Sequence, residues 1–298
     1  MYTIKTTEKT TNQDTIIELK NANNSTFVKI YLNLGASAQE LTLNGHTIIE
    51  DLTPLTYNNT YASSILFPFA NRIKDGKYTF EGKEYHFEIN EPGNNNALHG
   101  LVYNKTFQIK EQKTTETSAS VTLTYVEENE SAGFPYTYTL ELEYILTDSS
   151  LDINVLVTNT DSKTFPFTLG WHPYFSTSNL FESTLNFDCD TQFTLDERCI
   201  TTGTKTIKNI PVFEVKDKNL DDCFILNSNK TQFNTPDFAL QISASSNENF
   251  LQLYTPPKVN VIAIEPTTGV SDSFNNKVGL QLLKPNHNYK VNWQVKLI

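Results

Sequence analysis

Along much of this chain, apolar and polar residues alternate with a period of two. Between 138 and 144, Tyr138, Leu140, Leu142 and Tyr144 are separated by Thr139, Glu141 and Glu143; between 151 and 157, Leu151, Ile153, Val155 and Val157 are separated by Asp152, Asn154 and Leu156. Successive side chains on a strand point to opposite faces, so this spacing gives one apolar face only if the backbone is extended. Thr147-Asp148-Ser149-Ser150 supplies turn residues between the two runs, and together they predict a long antiparallel hairpin with one buried face. Lys77 to Phe80 and Glu84 to Ile89 predict a second hairpin around Glu81-Gly82-Lys83, and Val121 to Tyr125 and Phe238 to Ser243 predict further strands. Enrichment in Thr, Tyr, Phe, Val and Ile suits a pleated, half-buried surface. No stretch of twelve or more residues carries a 3.6-residue period. The expected fold class is therefore all-β, with two large antiparallel sheets packed face to face. No flexible linker, charge block or fixed-period repeat divides the 298 residues. Residues 1–298 accordingly read as a single domain, not a propeller or solenoid.

Composition narrows the function classes. A net charge of −11 argues against nucleic acid, whose phosphates demand a basic face, and against an anionic membrane surface. The three cysteines, Cys189, Cys199 and Cys223, are odd in number and lack CxxC spacing. A disulfide framework or zinc cluster is not expected from them, and reduced thiols are the simplest reading. The first residues contain no apolar signal-peptide core, and no apolar run approaches the ~18 residues of a membrane span. The expected location is cytoplasmic. There is no HxH or HExxH spacing, no glycine-rich phosphate loop and no GxSxG elbow, so neither metal nor cofactor is expected.

Four segments break the alternation and concentrate polar groups: Phe67 to Ile73, Asn94 to Gly100, Gly170 to Phe175, and Ala263 to Thr268. His172 lies between Trp171 and Pro173-Tyr174, after a strand-like run from Thr164 to Leu169. Proline interrupts ladder pairing, so the backbone is expected to leave the sheet here. A histidine among aromatics at a sheet edge suits a sugar pocket as an acid/base group; the same residue also reads as a core histidine with a satisfied hydrogen bond. His99 sits before Gly100 in an Asn-rich loop and reads as a site residue or as a turn histidine bonding its own backbone. Glu265 ends the apolar run Val261 to Ile264. It is either exposed at a strand end or buried, where desolvation would raise its pKa into the range of a general base. Arg72 offers a rigid fork of donors for hydroxyls, or a structural partner for an acid. Asp221 and Asp222 open a strand and must point to opposite faces, so at most one serves a given pocket.

Taken in chain order, the segments PFANRI (68–73), LHG (98–100), GFP (133–135), GWHPYF (170–175), LDDCF (220–224), LQLYTP (251–256) and IEP (264–266) resemble the aldose 1-epimerase family, also called galactose mutarotases. Each piece is short; their joint order and spacing from Phe67 to about Asn275 are specific. The resemblance implies a single antiparallel β-supersandwich with a sugar in an open cleft, interconverting the α and β anomers of a free hexose without a cofactor. It implies that Glu265 is the general base at the sugar O1 hydroxyl and His172 the general acid at the ring oxygen. His99 would contact substrate near the reacting centre, Arg72, Asn71 and Asp221 would bind hydroxyls, and Gln252 resembles the family's cleft glutamine. For both proton transfers Glu265 must be ionised while His172 is protonated, and an acidic cleft is expected to hold His172 cationic. After Glu265 the chain reads PTTGVSDSFNN, which resembles a broader, less characterised branch of the superfamily; after Gly100 it reads Leu101-Val102-Tyr103, in place of the family's usual glycine- and arginine-containing stretch. The expected partner is a small-molecule sugar, and the expected assembly a monomer or dimer. Two other readings stay open: a hexose-6-phosphate 1-epimerase, which would need cations such as Lys74 and Lys77 at the cleft rim, and a non-catalytic carbohydrate-binding protein on the same fold.

Overall fold

The period-two segments form the middle of the largest sheet. In the computed structural model, which describes residues 1–8, 14–128, 131–208 and 211–298, Tyr138–Thr147 pairs along its length with Ser150–Asn159 and, on its other edge, with Ser118–Glu127. Tyr138, Leu140, Leu142 and Tyr144 are buried, while Thr139, Glu141 and Glu143 are half-buried on the opposite face. The connecting turn is tied by Thr147 Oγ1, which accepts from the Ser150 amide at 3.1 Å. Ser150–Asn159 pairs in turn with Asn288–Leu297, which also pairs with Ala239–Ala244. Lys230–Asn234, Thr184–Phe187 and Phe213–Glu214 continue that edge, and Gln108–Thr114 forms the other, giving nine strands among the described residues.

A second sheet of eight strands has seven in the order Thr201–Thr206, Thr191–Leu195, Asp221–Ile225, Phe250–Tyr254, Val261–Thr267, Gly170–Trp171 and Ile65–Leu66, and the eighth, Tyr174–Ser176, pairs with Val261–Thr267 beside that path. The two sheets pack face to face over one core. Leu142, Ile153 and Trp293 from the first meet Leu253, Ile262 and Ile264 from the second, and Trp171 stacks on Trp293 with ring centroids 6.4 Å apart. A third, five-stranded sheet built from Thr3–Glu8, Thr15–Lys20, Phe27–Tyr31, Ser37–Leu43 and His46–Ile49 adds Ile17, Val28 and Leu41 to the same core. Tyr144 ties it to the nine-stranded sheet by donating to the Ala36 carbonyl at 2.6 Å. Every ladder between strands is antiparallel, and the two helices among the described residues, Tyr57–Thr60 and Ser273–Asn276, are single turns. No helix among the described residues is long and apolar enough to cross a membrane.

The all-β expectation holds, and the architecture is the supersandwich. Boundaries shift locally: the second predicted hairpin is Lys77–Phe80 with Lys83–His86, so Phe87 to Ile89 fall outside it. The strand expected from Thr164 to Leu169 contracts to Phe165–Phe167. The five-stranded sheet lies outside the two-sheet expectation.

If one face of Tyr138–Thr147 carries the stability, replacing Leu142 by Ala should cost about 2–5 kcal/mol. Replacing Glu141, whose partner is the exposed Lys110 at 2.6 Å, should cost less than about 1 kcal/mol. Urea unfolding of the two variants checks the ordering.

Candidate active site

The site lies on the outer face of the eight-stranded sheet, and ladder register builds its floor. Val261–Thr267 is buried on both faces: Ile262 and Ile264 enter the main core, whereas Val261 and Ala263 pack outward with Leu52, Ala62 and Tyr174. Glu265 shares the outward face two residues on. Its Cα partner on one side is Gln252, whose partner in turn is Cys223. One step along, Ala263 pairs with Tyr254, and Tyr254 with Asp221.

On the other side, Gly170 pairs with Thr267 and Tyr174 with Ala263. These two pairs are in the same register, so the intervening His172 falls directly opposite Glu265. The backbone does leave the ladder at His172-Pro173, as expected from the proline, and rejoins it at Tyr174. In that excursion the His172 amide donates to Ser64 O at 3.0 Å, and its carbonyl accepts from the Ser63 amide at 2.8 Å. His172 Nε2 consequently stands 3.4 Å from Glu265 Oε1, with its ring stacked on Tyr174 at 4.9 Å. Glu265 itself is inside its strand, not at the end, because the ladder continues through Pro266 to Thr267.

The wall comes from the segments before the two glycine-bounded loops. Arg72–Lys74 pairs with Asn96–Leu98, and the following His99 amide donates to Asn71 O at 2.9 Å. Gly100 makes this approach possible: at φ +75°, a Cβ there would lie 2.2 Å from Phe67 O, a contact no side chain tolerates. His99 is buried, edge-on to Tyr61 at 4.8 Å and to His172 at 5.1 Å. Gln252 Nε2 donates to Asp221 Oδ1 at 2.6 Å, and Asp221 Oδ2 stands 3.9 Å from Arg72 Nη1. Asp222 instead accepts from Gln192, so the two adjacent acids do diverge.

The structure thus brings Asn71, Arg72, His99, His172, Asp221, Gln252 and Glu265 around one cleft of about 190 Å³. Tyr61, Tyr174, Tyr254 and Glu91 also line it. Trp171 does not: it belongs to the core behind the sheet. Lys74 and Lys77 are exposed and outside the lining. Glu91 escaped sequence reasoning, since a lone Glu before Pro-Gly carries no sign of its partner. Among the described residues no three His, Cys, Asp or Glu side chains converge as a metal-binding set.

Electrostatics differ from the sequence expectation. Burial, followed by the Asp221 charge, pushes the Glu265 carboxyl well above its usual range, against the pull of Arg72. Burial, reinforced by Arg72, pushes His172 down to about 3, and burial, with His172 and Arg72 adding to it, holds His99 well below the usual imidazole range. The acidic surroundings do not hold His172 cationic. Desolvation outweighs them, and the pair favours a neutral carboxyl beside a neutral imidazole. Burial also pulls Arg72 down, but Glu91 and Asp221 more than offset it. Glu91 in turn stays below its usual range because Arg72 and Asn96 outweigh its own burial.

The aldose 1-epimerase sequence profile matches residues 15–296, and the chain belongs to the aldose 1-epimerase family. That family implies a carbohydrate epimerase. The uncharacterised protein YihR of Escherichia coli is 26% identical over 85% of this chain and 84% of its own length. Human galactose mutarotase is 29% identical over 48% of this chain and 42% of its own length. A galactose mutarotase-like protein from Clostridium acetobutylicum has the same fold, with a TM-score of 0.85 at 21% identity over 100% of this chain and 98% of that one. A galactose 1-epimerase from Lactobacillus acidophilus superposes with a TM-score of 0.82 at 18% identity, over 100% of this chain and 98% of its own.

The raised pKa of Glu265 has a stability consequence. Above the ordinary value of 4.5 the unfolded chain ionises this carboxyl and the folded chain does not, so its burial costs stability that grows with pH. Glu265→Gln should therefore melt a few degrees above wild type at pH 7, and the gap should close near pH 4. Thermal melts at the two pH values decide it; a lower midpoint at pH 7 would contradict the buried neutral carboxyl.

Proposed function

We propose that this protein is an aldose 1-epimerase that interconverts the α and β anomers of a free, uncharged hexose, and that its 298 residues work as one domain. The observation that carries this reading is the Glu265–His172 contact of 3.4 Å on the floor of a cleft lined by hydroxyl-binding groups and tyrosine rings. In this reading Glu265 takes the proton from O1, the C1–O5 bond breaks, and His172 protonates O5. The open-chain aldehyde turns about C1–C2. On closure His172 recovers its proton from O5, and Glu265 returns one to O1. Arg72, Asn71, Asp221 and Gln252 hold ring hydroxyls, Tyr61, Tyr174 and Tyr254 cover apolar faces, and His99 supports the reacting end.

The neutral carboxyl–imidazole pair is one proton transfer away from the working state. Moving the proton from Glu265 to His172 leaves the net charge of the pair unchanged and creates base and acid together. Bound sugar hydroxyls stabilise both charges by replacing the lost solvation. A phosphorylated hexose fits less well, because among the described residues Arg72 is the one lysine or arginine in the lining and it already faces Glu91 and Asp221.

Glu265→Gln should lower the rate of mutarotation, followed by polarimetry on fresh α-D-glucose and α-D-galactose, by about 10²–10⁴-fold while sugar binding persists. Undiminished turnover would remove Glu265 from the mechanism.

A pair that shares one proton also predicts the pH profile. Two independent groups at the ordinary 4.5 and 6.5 would confine activity to a bell between those values. The shared pair should instead give a kcat/KM plateau through neutral pH. It declines toward acid as His172, depressed to about 3, takes a second proton, and toward alkali as Glu265 loses the only one. A narrow maximum near roughly pH 5.5, midway between the two ordinary values, would refute the shared proton.

A further inference from the structure

Glu91 holds Arg72 within the cleft wall that both residues line. The Arg72 Nε donates to both carboxylate oxygens, at 3.1 and 3.0 Å, and Nη2 stands 3.0 Å from Oε1. Asn94 and Asn96 add amide donors at 3.2 and 2.8 Å. The turn carrying Glu91 is closed by backbone bonds between Glu91 and Asn96 in both directions, at 3.1 and 3.2 Å. Arg198 clamps that turn from outside, donating to Asn94 O, Asn95 O and Asn96 Oδ1 at 2.7, 2.7 and 2.9 Å. Glu91 is therefore not a carboxylate that swings aside when ligand enters.

Two effects follow. With Nε and one face of Nη2 occupied, Nη1, directed at Asn71 and Asp221, becomes the arm that meets a ligand. With Glu91 in bidentate contact, the guanidinium charge is cancelled at its source, leaving Asp221 to set the sign of the wall. An anionic sugar entering here meets a repulsive carboxylate and no net cation.

Resting on the sugar-binding reading of the cleft, we infer that Glu91 is the residue that sets charge specificity: by locking Arg72 into a neutral pair, it makes the site select uncharged sugars and reject those bearing a carboxylate or phosphate. Rejection by a built-in like charge is a common route to specificity. Arg198, the other arginine beside this turn, is engaged with Asp75 at 2.9 Å and with the turn itself, so it does not restore the positive charge.

The test is calorimetric binding of D-glucose and D-glucuronate to the wild-type protein, Glu91→Gln and Glu91→Asp. Glu91→Gln keeps the shape and one acceptor but removes the charge. It should narrow the Kd ratio of glucuronate to glucose by about tenfold, as expected for uncovering one charge in a half-buried site. Glu91→Asp keeps the charge on a shorter reach; it should weaken both sugars and leave the ratio in place. If Glu91→Gln weakens both sugars by one common factor, or if Glu91→Asp loses discrimination, Glu91 is only structural. Should Glu91→Gln fail to fold, Glu91→Ala, which also removes the charge, takes its place: the same narrowing of the ratio is expected, and an unchanged ratio overturns the proposal. Binding rather than turnover is measured, so a protein that binds sugar without epimerising it overturns the catalytic reading and leaves this one tested. A wild-type protein that binds neither sugar sinks both.

Discussion

Everything in the cleft depends on the register of one strand. Val261–Thr267 pairs with Gly170 at one end and with Tyr174 at the other without gaining or losing a residue. The chain between them must leave the ladder, because Pro173 has no amide hydrogen to give. An excursion that preserves register returns each residue opposite its formal partner, so His172 faces Glu265. A slip of one residue would turn Glu265 into the hydrophobic core and Ile264 into the cleft. The core forbids this: Ile262 and Ile264 on the inner face and the Trp171–Trp293 stack behind His172 are the apolar burial that pins the strand. Cleft geometry and sandwich packing are therefore two faces of one β-strand.

The second constraint is burial itself. A carboxylate, an imidazole and a guanidinium share a small volume, and each reacts differently to losing water. The guanidinium keeps its charge by recruiting Glu91 and the asparagines behind it. The carboxyl and imidazole on the floor lose theirs. This division leaves fixed, paired charge at the wall and a shareable proton at the floor, as the proposed epimerase reading requires.

Much of this was legible in the sequence, and the remainder was hidden for identifiable reasons. Period-two runs such as Tyr138 to Tyr144 report directly on strand and face, since alternation is a local property. The seven site residues named from short motifs meet in one place because Asp221, Gln252 and Glu265 lie in neighbouring paired strands, while Asn71, His99 and His172 lie where the chain departs from regular pairing beside them. Asp221 and Asp222 diverge as strand geometry requires. Three features resisted. The strand through Glu265 extends past Pro266 because cross-strand pairing with Phe250–Tyr254 overrides the local signal of proline. The protonation of His172 follows from how completely the fold excludes water, which no count of acidic residues conveys. Glu91 meets Arg72 only after Arg72–Lys74 pairs with Asn96–Leu98, a contact between segments that share no sequence signal.

The position of the last strand carries a further consequence. Asn288–Leu297 lies between Ser150–Asn159 and Ala239–Ala244 in the middle of the nine-stranded sheet, and it supplies Trp293 behind His172. Until residues 288–297 are in place, the sheet is two half-sheets with open inner edges. The strand is a keystone: it joins the two halves of the sheet and, through Trp293, backs the segment that carries His172.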